Sequence, residues 1–267
     1  MMKSSSKGLV FCLRAASILL FLQSGLASVF AQNDFEISLN LIDTCSVAVP
    51  EPSGLVLDAS GSFLWTVSDR TNQIYKLALS GETLDTLSYQ GEDLEGITQN
   101  AVDRTLWVVE ERLRQVVQLD TTGVELARTT VVLERKRANK GLEGITFNST
   151  NGHLFVINEK SPKLLVELSE HLVQVQQVKL TFAKDYSGIV FDSSRDVFWI
   201  VSDGSRTLTQ CDLQGQPQQT FALDIQKAEG IAIAPARKIL FVISDLEEKL
   251  YSFEVPSGSR APRGNQY

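Results

Sequence analysis

One pattern restricts the fold of this chain more than any other feature: a short motif ending in glycine and an aliphatic residue recurs five times. It reads Pro52-Ser53-Gly54-Leu55, Leu94-Glu95-Gly96-Ile97, Leu142-Glu143-Gly144-Ile145, Tyr186-Ser187-Gly188-Ile189 and Ala228-Glu229-Gly230-Ile231. The glycines are spaced 42, 48, 44 and 42 residues apart. Eleven residues after each stands an aromatic: Trp65, Trp107, Phe155, Trp199 and Phe241. Four residues beyond each aromatic comes an acid: Asp69, Glu111, Glu159, Asp203 and Asp245. A register held five times over periods of this length is the signature of a repeat architecture.

Each unit reads as four strands. In the first, Gly54–Asp58 and Phe63–Val67 are apolar runs separated by the turn Ser60-Gly61-Ser62. Gln73–Leu77 alternates, and Gly81-Glu82 turns the chain into Thr83–Leu87. Apolar inner strands and alternating outer ones fit blades buried on both faces. Four strands per unit of about 40–45 residues indicate a propeller. The fifth unit offers only three strands, near Gly230–Ala234, Ile239–Ile243 and Lys249–Phe253. Phe35–Ile42 alternates without a unit of its own, so it is expected as the outer strand of the last blade, closing the ring and covering exposed edges. The expected fold is all-β: a five-bladed β-propeller of four-stranded antiparallel blades, with a six-bladed ring as the alternative.

The ends differ from the repeats. Lys3, Lys7 and Arg14 precede or interrupt an apolar stretch, Ala15–Leu22, and Val29-Phe30-Ala31 fits a signal-peptidase site. Residues 1–31 are therefore expected to be a cleaved signal peptide, 32–255 a single propeller domain and 256–267 a disordered tail. Export places the protein in the periplasm or outside the cell. The alternative is an N-terminal anchor at the membrane, although the apolar run falls short of the ~20 residues of a spanning helix. Cys12 leaves with the signal. Cys45 and Cys211 remain, either as buried free thiols or as a pair in an oxidising compartment.

In a propeller, connections from one blade to the next share a face with the turns between second and third strands. Ser53, Glu95, Glu143, Ser187 and Glu229 would begin the inner strands, and the five acids that end the second strands would join them on that face. Eight carboxylates would then surround one mouth, with Glu110 a ninth nearby. Two unit charges ~8 Å apart at an effective dielectric of ~20 repel by about 2 kcal/mol, so such a ring requires compensation. Arg70, Arg112, Lys140 and Lys160 come from the same loops and supply part of it. Calcium, which takes 6–8 oxygen ligands in irregular geometry, would supply the rest. Oxygen donors suit it better than zinc, which favours His and Cys; only His153 and His171 are present, and His153 falls on the opposite face. The expected ligands are Glu95, Glu143, Glu229, Glu111, Glu159 and Asn139. Asp69, Asp203 and Asp245 each follow a serine and are expected instead to accept hydrogen bonds from turn amides. The five aromatics are expected in blade cores.

The blocks Glu51-Pro52-Ser53-Gly54, Asp93-Leu94-Glu95-Gly96, Glu110-Glu111-Arg112, Asn139-Lys140-Gly141-Leu142-Glu143-Gly144 and Asp185-Tyr186-Ser187-Gly188 resemble those of the SdiA-regulated proteins. That group is also described as calcium-regulated, phytase-like β-propellers, distantly related to NHL-repeat propellers. The resemblance spans nearly all of residues 35–254. It implies five blades, export or membrane anchoring, and a bound calcium, with no firmly assigned enzymatic activity.

Two functional classes follow. One is a calcium-binding module acting in binding or signalling. The other is a calcium-dependent hydrolase of phosphoesters or lactones, in which Lys140, Arg112 and Lys160 would hold a small anionic substrate. A scaffold for a protein partner is a third use of the same fold. No Ser-His-Asp arrangement, metal-spaced His pair or phosphate-cradling glycine loop is present. The net charge of −7 argues against a broadly cationic nucleic-acid surface.

Overall fold

The repeats fold as their apolar patterning dictates. In the computed structural model, residues 38–133 and 141–257 are described. A leading strand, β1 (Leu41–Ser46), precedes blade 1: β2 (Pro52–Leu57), β3 (Phe63–Ser68), β4 (Gln73–Ala78) and β5 (Thr83–Thr86). Blade 2 is β6 (Leu94–Gln99), β7 (Leu106–Glu110), β8 (Gln115–Leu119) and β9 (Glu125–Thr130). Blade 3 is β10 (Leu142–Asn148), β11 (His153–Asn158), β12 (Leu164–Leu168) and β13 (Gln174–Lys179). Blade 4 is β14 (Gly188–Asp192), β15 (Val197–Ser202), β16 (Thr207–Cys211) and β17 (Pro217–Ala222). Blade 5 takes β18 (Ala228–Ala234), β19 (Ile239–Ser244) and β20 (Lys249–Glu254), with β1 as its outer strand. All pairings within blades are antiparallel, and each inner strand packs on the next, β18 against β2 completing the ring. The architecture is a five-bladed β-propeller.

One apolar cluster fills each of the five interfaces between blades. Each repeat aromatic enters the cluster facing the following blade: Trp65 towards blade 2, Trp107 towards blade 3, Phe155 towards blade 4, Trp199 towards blade 5 and Phe241 towards blade 1. A buried aromatic removes roughly 150–250 Å² from water, about 4–6 kcal/mol of transfer free energy as an upper bound. The ring is therefore held laterally, blade on blade.

The closing strand is displaced from its expected position. It spans Leu41–Ser46, whereas alternation points to Phe35–Ile42, of which residues 35–37 lie outside the described residues. Ser38 makes only an isolated parallel bridge to Ala222, and Leu39 packs against the cluster between blades 4 and 5. The reason is that an outer strand faces solvent on both sides; all of β1 except Cys45 is exposed, so alternation carries little information there. Spacing is the better guide: β17 ends eight residues before Gly230, and β1 ends eight before Gly54.

Cys45 on β1 and Cys211 on β16 are free thiols in different interfaces, between blades 5 and 1 and between blades 3 and 4. Burial pushes the Cys211 thiol up to about 12. Residues 1–31, and all of the expected tail beyond Ser257, lie outside the described residues. Among the described residues no helix is long and apolar enough to cross a membrane.

Candidate functional site: an acidic cup on the propeller axis

The five motif glycines sit where neighbouring inner strands come closest. A Cβ on Gly54 would lie 2.6 Å from Ile97 N, 2.7 Å from Gly96 Cα and 2.8 Å from Glu95 O. A Cβ on Gly188 would lie 2.5 Å from Glu229 O, and those on Gly96 and Gly230 would press on Glu143 O and Ser53 O. Each glycine thus abuts the carbonyl of the residue before the next motif glycine. Below this level the axis narrows to a space of about 10 Å³ lined by the glycines and their aliphatic neighbours, barely the volume one water requires. The axial feature is a cup with a floor, not a pore.

Above the floor the cup encloses about 140 Å³. Ser53, Glu95, Glu143, Ser187 and Glu229 form its inner wall, as their place at the start of each inner strand requires. Asp69, Glu159, Asp203 and Asp245 come from the ends of the second strands. Of the expected ligands, Glu95, Glu143, Glu229 and Glu159 line the cup. Glu111 does not line the cup; its Oε1 accepts the Gly141 amide at 2.8 Å. Asn139 lies outside the described residues, as does Lys140.

Two expectations about the neighbouring acids are corrected. Glu110 does not join the mouth. Strand alternation sends its side chain away from that of Glu111, and it is 2% exposed, accepting from Tyr89 Oη at 2.8 Å and pairing with Arg128 at 2.8 Å. Asp69, Asp203 and Asp245 are not the acceptors of their turn amides either. The preceding serines take that role: Ser68, Ser202 and Ser244 accept from Thr71 N, Ser205 N and Glu247 N at 3.0–3.1 Å. Asp203 accepts a loop amide from the next blade instead, that of Lys227 at 2.8 Å, and all three acids face the axis.

A further ring went unread in the sequence. Three residues before the motif glycines stand Glu51, Asp93, Gly141, Asp185 and Lys227. In four blades the carbonyl at this position accepts the amide of the second-strand acid: Glu51 from Asp69, Asp93 from Glu111, Gly141 from Glu159 and Lys227 from Asp245. Glu51, Asp185 and Lys227 line the cup. The cations are distributed around it: Arg70 on Glu51, Arg112 on Asp93 at 2.8 Å, Lys160 on Glu159 and Asp185, and Lys227 on Glu229 at 3.0 Å.

Crowding leaves its mark on the carboxyls. Glu143 and Glu95 are pushed well above the usual carboxylate range, first by burial and then by facing other acids; for Glu95 a 2.6 Å hydrogen bond from Ser53 Oγ offsets part of this. Glu229 is pushed up to about 7 by burial, with Lys227 pulling against it. Glu111 also rises to about 7, by burial and by Asp93 and Glu159. Burial, Asp93 and Glu51 raise Asp69.

Oxygens of Asp69, Asp93 and Glu95 lie within 4.8 Å of one another. Oxygens sharing one calcium at 2.3–2.6 Å are at most about 5 Å apart, so the spacing of this trio suits an ion, although Asp93 would exchange part of its two-pronged pairing with Arg112 for it. It joins the second-strand ring, the ring that went unread and the inner wall, and contains neither His nor Cys.

Together these features define a five-bladed β-propeller with a closed axis and an acidic cup on the face where blades connect. The chain belongs to the SdiA-regulated family, whose model matches residues 29–254. Among solved structures it is similar to a chain of a nidogen/laminin complex, at 16% identity over 76% of each chain and a TM-score of 0.56. It is similar also to a protein of unknown function from Bacteroides caccae, at 11% identity, 72% and 70% coverage and a TM-score of 0.53. Virginiamycin B lyase from Staphylococcus aureus aligns at 15% identity over 77% of this chain and 66% of that one, just under two thirds of its length, with a TM-score of 0.49. At these identities the first two likenesses concern the fold alone.

Proposed function

We propose that this protein is an exported calcium-binding propeller, acting in the periplasm or outside the cell as a binding or calcium-response module. The observation that carries the reading is the convergence of Asp69, Asp93 and Glu95, of which Asp69 and Glu95 line the cup with Glu143 and Glu229. A hard divalent ion offsets the repulsion among these groups and favours the charged forms that burial disfavours at Glu95 and Glu143. When bound, the ion would link blades 1 and 2 through Asp69 and Asp93/Glu95. Lys160 and Lys227 are each engaged by cup carboxylates, which favours binding over the alternative of hydrolysing phosphoesters or lactones.

The test is thermal unfolding of residues 32–267 in chelator and across a calcium series, with magnesium as control. Binding to the folded state contributes about 2.7 kcal/mol at a hundredfold excess over Kd. A calcium-selective rise in Tm that Asp93→Asn or Glu95→Gln abolishes supports the reading. No shift at millimolar calcium sinks it and leaves the cup as a charge-balanced surface for a protein partner. Export is tested separately, by the mass of protein recovered outside the cytoplasm, where cleavage after Ala31 is expected.

A further inference from the structure

The turns joining first to second strands lie on the face opposite the cup, and their charges differ from blade to blade. Asp58 stands in the first turn and Asp103 beside Arg104 in the second. The third, residues 149–152, holds no charge, and in the fourth Asp192 and Asp196 flank Arg195. The fifth, between β18 and β19, carries Arg237 and Lys238 with no acid. Both side chains are exposed, and among the described residues neither forms an ion pair; one guanidinium nitrogen of Arg237 donates to Gly61 O at 3.2 Å. On a chain with a net charge of −7, this turn alone presents cations without the counter-charge that neighbouring turns supply.

Arg237 and Lys238 line a groove of about 630 Å³ between blades 4 and 5. That volume is within the range of roughly 300–1,000 Å³ typical of small-molecule pockets. Its apolar walls include Leu39, Ile42, Ile239, Val255 and Pro256. None of these is fully buried: Ile42 is 50% exposed and the others are half-buried, so the groove offers apolar surface that the core leaves open. Asn40 and Gln219 add side-chain amides to the lining, and Glu254 is its one acid, which leaves a surplus of one positive charge. Apolar walls with a few polar groups at the edge are the usual make-up of a small-molecule site.

We propose that this groove binds a small amphipathic anion, a medium-chain organic carboxylate. Its hydrocarbon chain covers the open apolar wall, and its carboxylate supplies the counter-charge that Arg237 and Lys238 lack. A guanidinium fork matches a carboxylate in geometry as well as in charge. Each methylene withdrawn from water strengthens binding by up to about fourfold, so the chain sets affinity and the cations set the sign of the ligand. The site is separate from the acidic cup and does not depend on calcium.

The test uses octanoate, butyrate and the uncharged 1-octanol, each titrated into the mature protein at neutral pH and followed by saturation-transfer NMR. Octanoate is expected to bind saturably, with 1-octanol about fivefold weaker or worse and butyrate weaker by at least about tenfold. Lys238→Glu reverses one charge of the turn and is expected to weaken octanoate by about fivefold or more. Ile42→Glu places an acid on the open wall, at an exposed position of β1, and serves as the second variant should the first fail to fold. Arg104→Glu makes the same charge change at the same register of blade 2, eight residues after the motif glycine, and is expected to leave octanoate binding unchanged. Chelator and calcium are expected to give the same affinity. Equal binding of 1-octanol or butyrate, octanoate affinity that survives both variants in folded protein, an equal loss on Arg104→Glu, a requirement for calcium, or no saturable binding at all would each overturn the proposal.

Discussion

Raising the pH of calcium-free protein from about 5 to about 8 should weaken the fold, and Glu229 allows the effect to be sized. Its carboxyl moves from an ordinary value of 4.5 to about 7 on folding, because burial outweighs its ion pair with Lys227. The folded state therefore holds this proton more tightly than the unfolded chain does. The contribution is complete below about pH 4.5 and is lost as pH rises through 7. A rise of that size corresponds to about 3 kcal/mol for this one group, and its side chain is only 12% exposed, so solvent screening removes little of it. Glu111, also near 7, acts in the same direction, as do Glu95 and Glu143, both raised by burial. These acids interact, so their shares do not add. The assay is denaturant unfolding in chelator at intervals from pH 5 to 8, on wild type and Glu229→Gln. Wild type should lose several kcal/mol across the interval, and the variant about 2.5 kcal/mol less. Calcium should flatten the slope, since the ion binds the deprotonated groups. Wild-type stability that is constant or increasing over this range in chelator would refute the electrostatic description of the cup.

Further outcomes follow from individual contacts. Gly54→Ala places a methyl against the backbone of Glu95–Ile97, which cannot swing aside as a side chain would, so a loss of about 1–3 kcal/mol is expected by chemical denaturation. Glu110→Ala leaves the Tyr89 hydroxyl without its buried acceptor while Arg128 keeps Glu125, and should cost about 1–3 kcal/mol, read by the same measurement. Maleimide labelling of native protein should leave Cys211 unmodified until denaturant is added, and mass spectrometry should find no bond between it and Cys45.

The blades were legible because glycine, aromatic and acid recur at fixed offsets, and each offset answers a separate physical demand. The glycine permits close approach at the axis, the aromatic fills an interface, and the acid ends a strand on the mouth face. The repeat register alone therefore places Glu95, Glu143, Glu159 and Glu229 on that face. The ring of Glu51, Asp93, Asp185 and Lys227 escaped notice because it mixes acids, a glycine and a lysine; only its register is shared, through a backbone hydrogen bond indifferent to the side chain. Asp93, the residue that completes the trio with Asp69 and Glu95, was hidden for that reason. Glu110 was misplaced although a period of two along the strand already opposed it to Glu111. The closing strand slipped because solvent on both its faces erases the alternation that marks inner strands.

The position of that closing strand also settles how the molecule can be handled. β1 begins at Leu41 opposite Phe253, so the described chain enters and leaves the ring together, at the end remote from the cup. A fusion partner, an affinity matrix or a surface attached through either side would hold the propeller by its base. The acidic cup would then face outward, open to whatever diffuses past.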